Sequence, residues 1–156
     1  MIKVLFVCHG NICRSPMAEF IFKSMVRDLK IEDQFEIESR ATSTEEIGNP
    51  IYPQARKILD NYNIDYSKKR AKQITINDYN NFDYILVMDS NNLFNIKYII
   101  KDDKENKIKT LLSYANIKRD ISDPWYTRDF KKTESDIKLG LDGFINYLRD
   151  LKILNN

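Results

Sequence analysis

Cys8 and Arg14 are separated by five residues, in Cys8-His9-Gly10-Asn11-Ile12-Cys13-Arg14, and Ser15-Pro16 follows. A thiol and a guanidinium at that spacing, on a loop carrying glycine and asparagine, suit nucleophilic attack on a bound anion. A loop that turns its backbone N–H groups toward one point cradles an anion, and a helix N-terminus adds positive potential there. Gly10 and Asn11 tolerate the left-handed angles that such a nest of amides needs. Arg14 supplies a planar fork for two oxygens of one oxyanion. Alone, Cys8 would read as a small hydrophobe buried at a strand end. Arg14, Gly10, Asn11 and the Ser15-Pro16 helix start stand in register with it, and that register is what points to chemistry.

The field of such a loop favours the thiolate, which is the nucleophile. A free thiol is about 3% ionised at pH 7, so full ionisation gains about 30-fold in reactive species. Intrinsic nucleophilicity falls with the basicity of the thiolate, at a Brønsted slope of about 0.4–0.5 in thiol–disulfide exchange. Over about a thousandfold change in acidity these effects nearly cancel. Positioning, and stabilisation of charge on the transferring group, then contribute more to the rate than thiolate formation does.

The elements around the loop follow from hydrophobic period. Ile2-Lys3-Val4-Leu5-Phe6-Val7 reads as a buried parallel strand. Met17, Phe20, Ile21, Met25 and Leu29 recur at helical spacing, with Ser15 as N-cap and Pro16 at the first helical position. Phe35–Ser39, Tyr84–Met88 and Lys107–Leu112 read as further strands. Helices are predicted after Pro53 (Ala55, Ile58, Leu59, Tyr62), after Asp89 or Ser90 (Leu93, Phe94, Tyr98) and at Ile137–Leu151, with a short turn capped by Thr75. Alternating strands and helices predict an α/β fold: three layers, with a four-stranded parallel sheet and helices on both faces. Ligands in such sheets bind beyond the strand C-termini, where the Cys8 loop lies. Gly140 and Gly143 each cost about 1 kcal/mol relative to alanine inside a helix, which suggests close packing.

The chain has 156 residues and a formal net charge of +2, which predicts one domain, 1–156, and argues against a nucleic-acid partner. Its two cysteines, Cys8 and Cys13, do not make a secreted disulfide framework. The first apolar run is too short for a signal-peptide core, and no segment reaches transmembrane length. The expectation is a cytoplasmic protein without a membrane partner.

Val7-Cys8-His9-Gly10-Asn11-Ile12-Cys13-Arg14-Ser15-Pro16 resembles the signature of the low-molecular-weight protein tyrosine phosphatases at every fixed position. The resemblance continues through Glu38-Ser39-Arg40-Ala41-Thr42-Ser43, Phe82-Asp83-Tyr84-Ile85-Leu86-Val87-Met88-Asp89 and Asp123-Pro124-Trp125-Tyr126, and so covers nearly the whole chain. It implies a flavodoxin-like fold and hydrolysis of phosphotyrosine through a phosphocysteine on Cys8. Arg14 and the loop residues His9, Gly10, Asn11, Ile12, Cys13 and Ser15 would bind phosphate. Asp123 would be the general acid and then the base. Without the resemblance, Asp-Pro marks only a turn. Trp125 and Tyr126 would wall the substrate cleft, although Trp125 also fits a core position. Asn11, Ser15 and Ser39 resemble the network that holds the loop. No metal or other cofactor is implied. Expected partners are phosphotyrosine proteins, with inorganic phosphate as product and inhibitor of a monomer. A reversible Cys8–Cys13 disulfide is a further expectation, against Cys13 as a packing residue.

The chain departs from the family at the rim. Many relatives carry an aromatic where this chain has Thr44-Glu45-Glu46-Ile47-Gly48, some have a histidine near Lys68-Lys69-Arg70, and many have glycine after the tyrosine, where this chain has Thr127-Arg128. Substrate preference is therefore open. Protein-arginine phosphatases are the nearest rival and usually place threonine at Ile12. Arsenate reductases would need resolving cysteines beyond Cys13. A non-enzymatic anion sensor would not need Asp123.

Overall fold

The structure, a computed structural model, describes residues 1–154. Four parallel strands form one sheet in the order β2-β1-β3-β4: β1 is Ile2–Cys8, β2 Phe35–Ala41, β3 Tyr84–Val87 and β4 Ile108–Thr110. Central β1 pairs with β2 from Ile2 opposite Phe35 to Cys8 opposite Ala41, and with β3 from Val4 opposite Tyr84 to Val7 opposite Val87. Val4 through Val7 are completely buried, as a strand covered on both faces requires.

The two-residue period of β1 divides the core. Val4, Phe6 and Cys8 pack with α1 (Arg14–Asp28) and α6 (Phe130–Asp150). Leu5 and Val7 pack on the other face with Tyr79 of α3 (Ile76–Asn81) and with Ile96, which follows α4 (Ser90–Asn95). The chain runs from β1 to β2 on one side and to β3 on the other, so the loops after β1 and β3 diverge around a crevice at the strand C-termini. This is the three-layer α/β arrangement expected. α2 (Pro53–Leu59) and the four-residue α5 (Pro124–Thr127) lie in the remaining connections.

Several local expectations are corrected. Ser15 is not the N-cap: α1 begins at Arg14, Cys13 stands at the cap, and the Ser15 side chain turns inward instead. Asn11 takes the left-handed conformation, φ +60°, while Gly10 does not. β4 ends at Thr110, and Leu111–Ala115 form a 3-10 turn. Leu29, Phe94, Tyr98 and Leu151 are exposed, so the apolar periods there overshoot the core. The glycines of α6 do mark close contact. A Cβ on Gly140 would stand 2.5 Å from Leu111 Cγ, and one on Gly143 would stand 2.5 Å from the Tyr114 carbonyl oxygen.

Candidate active site

Cys8 ends β1 beneath the loop that enters α1, 3% exposed. The backbone N–H groups of Asn11 and Ser15 donate to its Sγ at 3.3 and 3.4 Å, and Ser15 Oγ lies 3.0 Å away. The left-handed turn at Asn11 curls these amides around one point. Asn11 is itself held on three sides. Its Nδ2 donates to Ser15 Oγ at 2.7 Å and to Ser39 Oγ at 2.9 Å, while its Oδ1 accepts from the Lys72 amide at 3.2 Å.

The support reaches residues that sequence reasoning did not single out. Ser39 Oγ donates at 2.6 Å to Glu19, a carboxylate only 3% exposed and ion-paired with Lys23 at 2.6 Å. Glu19 falls on the polar side of the α1 pattern, which gives no sign of burial. Lys69 stands at the segment where some relatives have histidine; it donates to the Ser39 carbonyl at 2.8 Å and lies 3.8 Å from Glu19. Burial pushes the Lys69 ammonium down to about 8, against the opposing pull of Glu19.

Arg14 is 2% exposed. Its Nη1 donates to Asp89 Oδ2 at 2.6 Å and to the Ile121 carbonyl at 2.8 Å, and Nη2 lies 3.5 Å from Asp123 Oδ2. Its buried Nε finds no acceptor among the described residues, which leaves a donor for an oxyanion. Burial works against the charge on Arg14, but Cys8, Asp89 and Asp123 outweigh it and hold the guanidinium above its ordinary range. Asp89 is a further residue to which the sequence reading gave no part in the site. The sequence placed it at the end of a segment that resembles the family and, with Ser90, at a helix start, and it does cap α4, with its Oδ1 accepting from the Asn92 amide at 2.7 Å. Its other oxygen holds Arg14, because β3 lies beside β1.

Asp123 is the N-cap of α5 and accepts from the Trp125 amide at 3.0 Å. Trp125 and Tyr126 are 46% and 82% exposed, so neither is a core residue. Tyr52 packs edge-on to Trp125 at 5.1 Å. Opposite them, His9 Nε2 meets Glu45 at 2.9 Å.

One cleft of about 130 Å³ brings these groups together: Cys8, His9, Gly10, Ile12, Cys13, Arg14, Asp123, Trp125 and Tyr126, with Glu45 and Glu46. Asn11, Ser15 and Ser39 lie buried beneath it. Both cysteines are free thiols, and burial, with Cys8 and Asp123 nearby, raises the pKa of Cys13 far above the usual thiol range. No cluster of three or more histidine, cysteine, aspartate or glutamate side chains among the described residues is arranged to hold a metal ion. No helix among them is long and apolar enough to cross a membrane.

The profile of the low molecular weight phosphotyrosine protein phosphatases matches residues 3–152. The low molecular weight protein-tyrosine-phosphatase YfkJ of Bacillus subtilis is 35% identical over 156 residues, 99% of this chain and 100% of YfkJ. The crystal structure of YfkJ superposes with a TM-score of 0.91 over 97% of each chain. The low molecular weight protein tyrosine phosphatase of Streptococcus pyogenes is 43% identical, with a TM-score of 0.84 over 99% of this chain and 100% of that one. The Drosophila arginine phosphatase DARP is 28% identical, with a TM-score of 0.85 over 94% of this chain and 97% of its own.

Proposed function

Since the chain belongs to the low molecular weight phosphotyrosine protein phosphatase family, we propose that it hydrolyses phosphotyrosine in proteins by way of a phosphocysteine on Cys8. One observation carries the assignment: Cys8, the buried Arg14 and Asp123 line one cleft, with Asp123 Oδ2 3.5 Å from Arg14 Nη2.

The loop amides and Arg14 take the three non-bridging phosphate oxygens, with Arg14 Nε as one donor. The Cys8 thiolate attacks phosphorus from below. As the S–P bond forms, the P–O bond to the tyrosine breaks, and Asp123 gives its proton to the departing phenolate oxygen. The Asp123 carboxylate then takes a proton from water. The water oxygen attacks phosphorus, the S–P bond breaks, and orthophosphate leaves with Cys8 again a thiolate. Phosphate returns to the same amides as product inhibitor. One chain supplies all of these groups, so a monomer suffices for the chemistry, and the reading is of one domain, 1–156, acting as a monomer. Its two unpaired cysteines suit a reducing, cytoplasmic setting.

Phosphoarginine is the second reading, favoured by the likeness to the Drosophila arginine phosphatase. Ile12, apolar and in the cleft with Trp125 and Tyr126, favours an aryl ester instead. Turnover of phosphotyrosine, phosphoarginine and phosphoserine peptides decides between them, with phosphotyrosine expected to be fastest. Cys8→Ser is expected to lower turnover by about 10⁴-fold or more while still binding phosphate in calorimetry. Wild-type rates in Cys8→Ser would reject the mechanism.

A further inference from the structure

Arg128 closes α5 at φ +62°, in the left-handed region that favours glycine. The conformation ends the turn: its amide donates back to the Pro124 carbonyl at 2.9 Å. What the arginine side chain adds is a set of contacts that glycine lacks. Nη2 donates to Tyr52 Oη at 2.9 Å, and Nη1 reaches the Trp125 carbonyl at 3.5 Å. The guanidinium lies 5.4 Å from the centroid of the Tyr52 ring and 5.8 Å from that of Phe130. Those two rings stack at 6.0 Å with 9° between their planes.

Tyr52 is also fastened at its other end, because its backbone N–H donates to the Ile12 carbonyl of the phosphate loop at 2.9 Å. A continuous path of contacts therefore runs from the loop that holds Cys8, through Tyr52, to Arg128 and Trp125 of the loop that carries Asp123. The Asp123 loop has few other anchors. Within α5 only Pro124 is buried. A general acid must stand within hydrogen-bond reach of the leaving oxygen, and a misplacement of about 1 Å can cost about 10²-fold.

We propose that Tyr52 and Arg128 are positioning residues for Asp123, tying the acid loop to the phosphate loop and setting the distance between acid and nucleophile. The inference rests on the reading of Asp123 as general acid.

The test compares phenyl phosphate, whose leaving group needs a proton, with 4-nitrophenyl phosphate, whose leaving group departs without one. Arg128→Gly keeps the backbone conformation and removes the clamp. It is expected to lower kcat/KM, which reports formation of the phosphocysteine and not the later hydrolysis in which Asp123 acts as base on both esters alike, about 10-fold on phenyl phosphate and less than about twofold on the nitrophenyl ester. Arg128→Lys and Tyr52→Phe, which each keep part of the clamp, are expected to lose about threefold on phenyl phosphate alone. In an Asp123→Asn background, Arg128→Gly is expected to add no loss on phenyl phosphate, because the acid it positions is gone. Equal losses on both esters, no loss in folded Arg128→Gly, or a full additional loss on top of Asp123→Asn would each overturn the proposal. An Asp123→Asn variant that treats both esters alike would overturn the parent reading of Asp123, and this inference with it.

Discussion

The phosphate loop and the acid loop are built in opposite ways. From Asn11 to Ser15 every residue is buried, and Asn11 alone is held by two serines and a backbone amide. From Trp125 to Asp129 every residue is exposed, and the loop is carried by one buried proline, the Asp123 cap and the Arg128 contacts. Phosphate is the same in every substrate, so its cradle gains from being fixed in advance. The group that carries phosphate varies, and the exposed loop is the part that meets it.

Arg14→Ala tests the contrast most severely. Turnover is expected to fall about 10³-fold or more. Stability to urea is expected to fall by about 3 kcal/mol, because Asp89 is left as a largely buried carboxylate without its partner. A catalytic loss with unchanged stability would break the comparison, since it would mean the floor is not part of the folded scaffold.

Lys69 probes the scaffold one layer deeper. Its ammonium is pushed down to about 8 in the folded protein, from an unfolded value near 10.5. Between these two pH values the unfolded chain binds more protons than the native one, so the contribution of Lys69 to stability rises with pH and is lost as pH falls toward 8. Lys69→Met lacks this contribution. The urea stability of wild type relative to the variant is therefore expected to increase from pH 8 to pH 10, by up to about 1.4 kcal/mol per pH unit. A constant difference would show that Lys69 titrates as in water.

The smallest effect belongs to the rim. Tyr126→Ala removes a side chain that is 82% exposed. KM for a phosphotyrosine peptide is expected to rise about three- to tenfold, with Tm moving by less than about 2 °C. A large loss of stability would sharpen the comparison the other way, by making Tyr126 part of the scaffold.

Much of this is legible in the sequence alone. The strand, loop and helix around Cys8 follow from period and from Gly10, Asn11 and Arg14. Residues that the chain brings together only by folding are harder to read. Asp89 holds Arg14 because β3 pairs with β1, and no local pattern encodes that neighbour. Glu19 falls on the polar stripe of α1 yet is buried, because Ser39, Lys23 and Lys69 converge on it from other positions. Phe94 and Tyr98 err in the opposite sense: they fit an apolar period, but the helix is six residues long and the two rings meet edge-on in solvent. Ser15 has the right type for a cap, and a thiol 3.0 Å away claims its hydroxyl instead.

The divided carboxylate of Asp89 ties together elements that cover opposite faces of the sheet. One oxygen closes the first turn of α4, whose neighbours pack beneath one face of the sheet, and the other grips the arginine that begins α1 on the opposite face. Arg14 therefore depends on a carboxylate on which the first turn of α4 depends as well. One side chain, set just beyond the end of β3, thus fastens the arginine of the cradle and the start of a helix that lies outside the cleft.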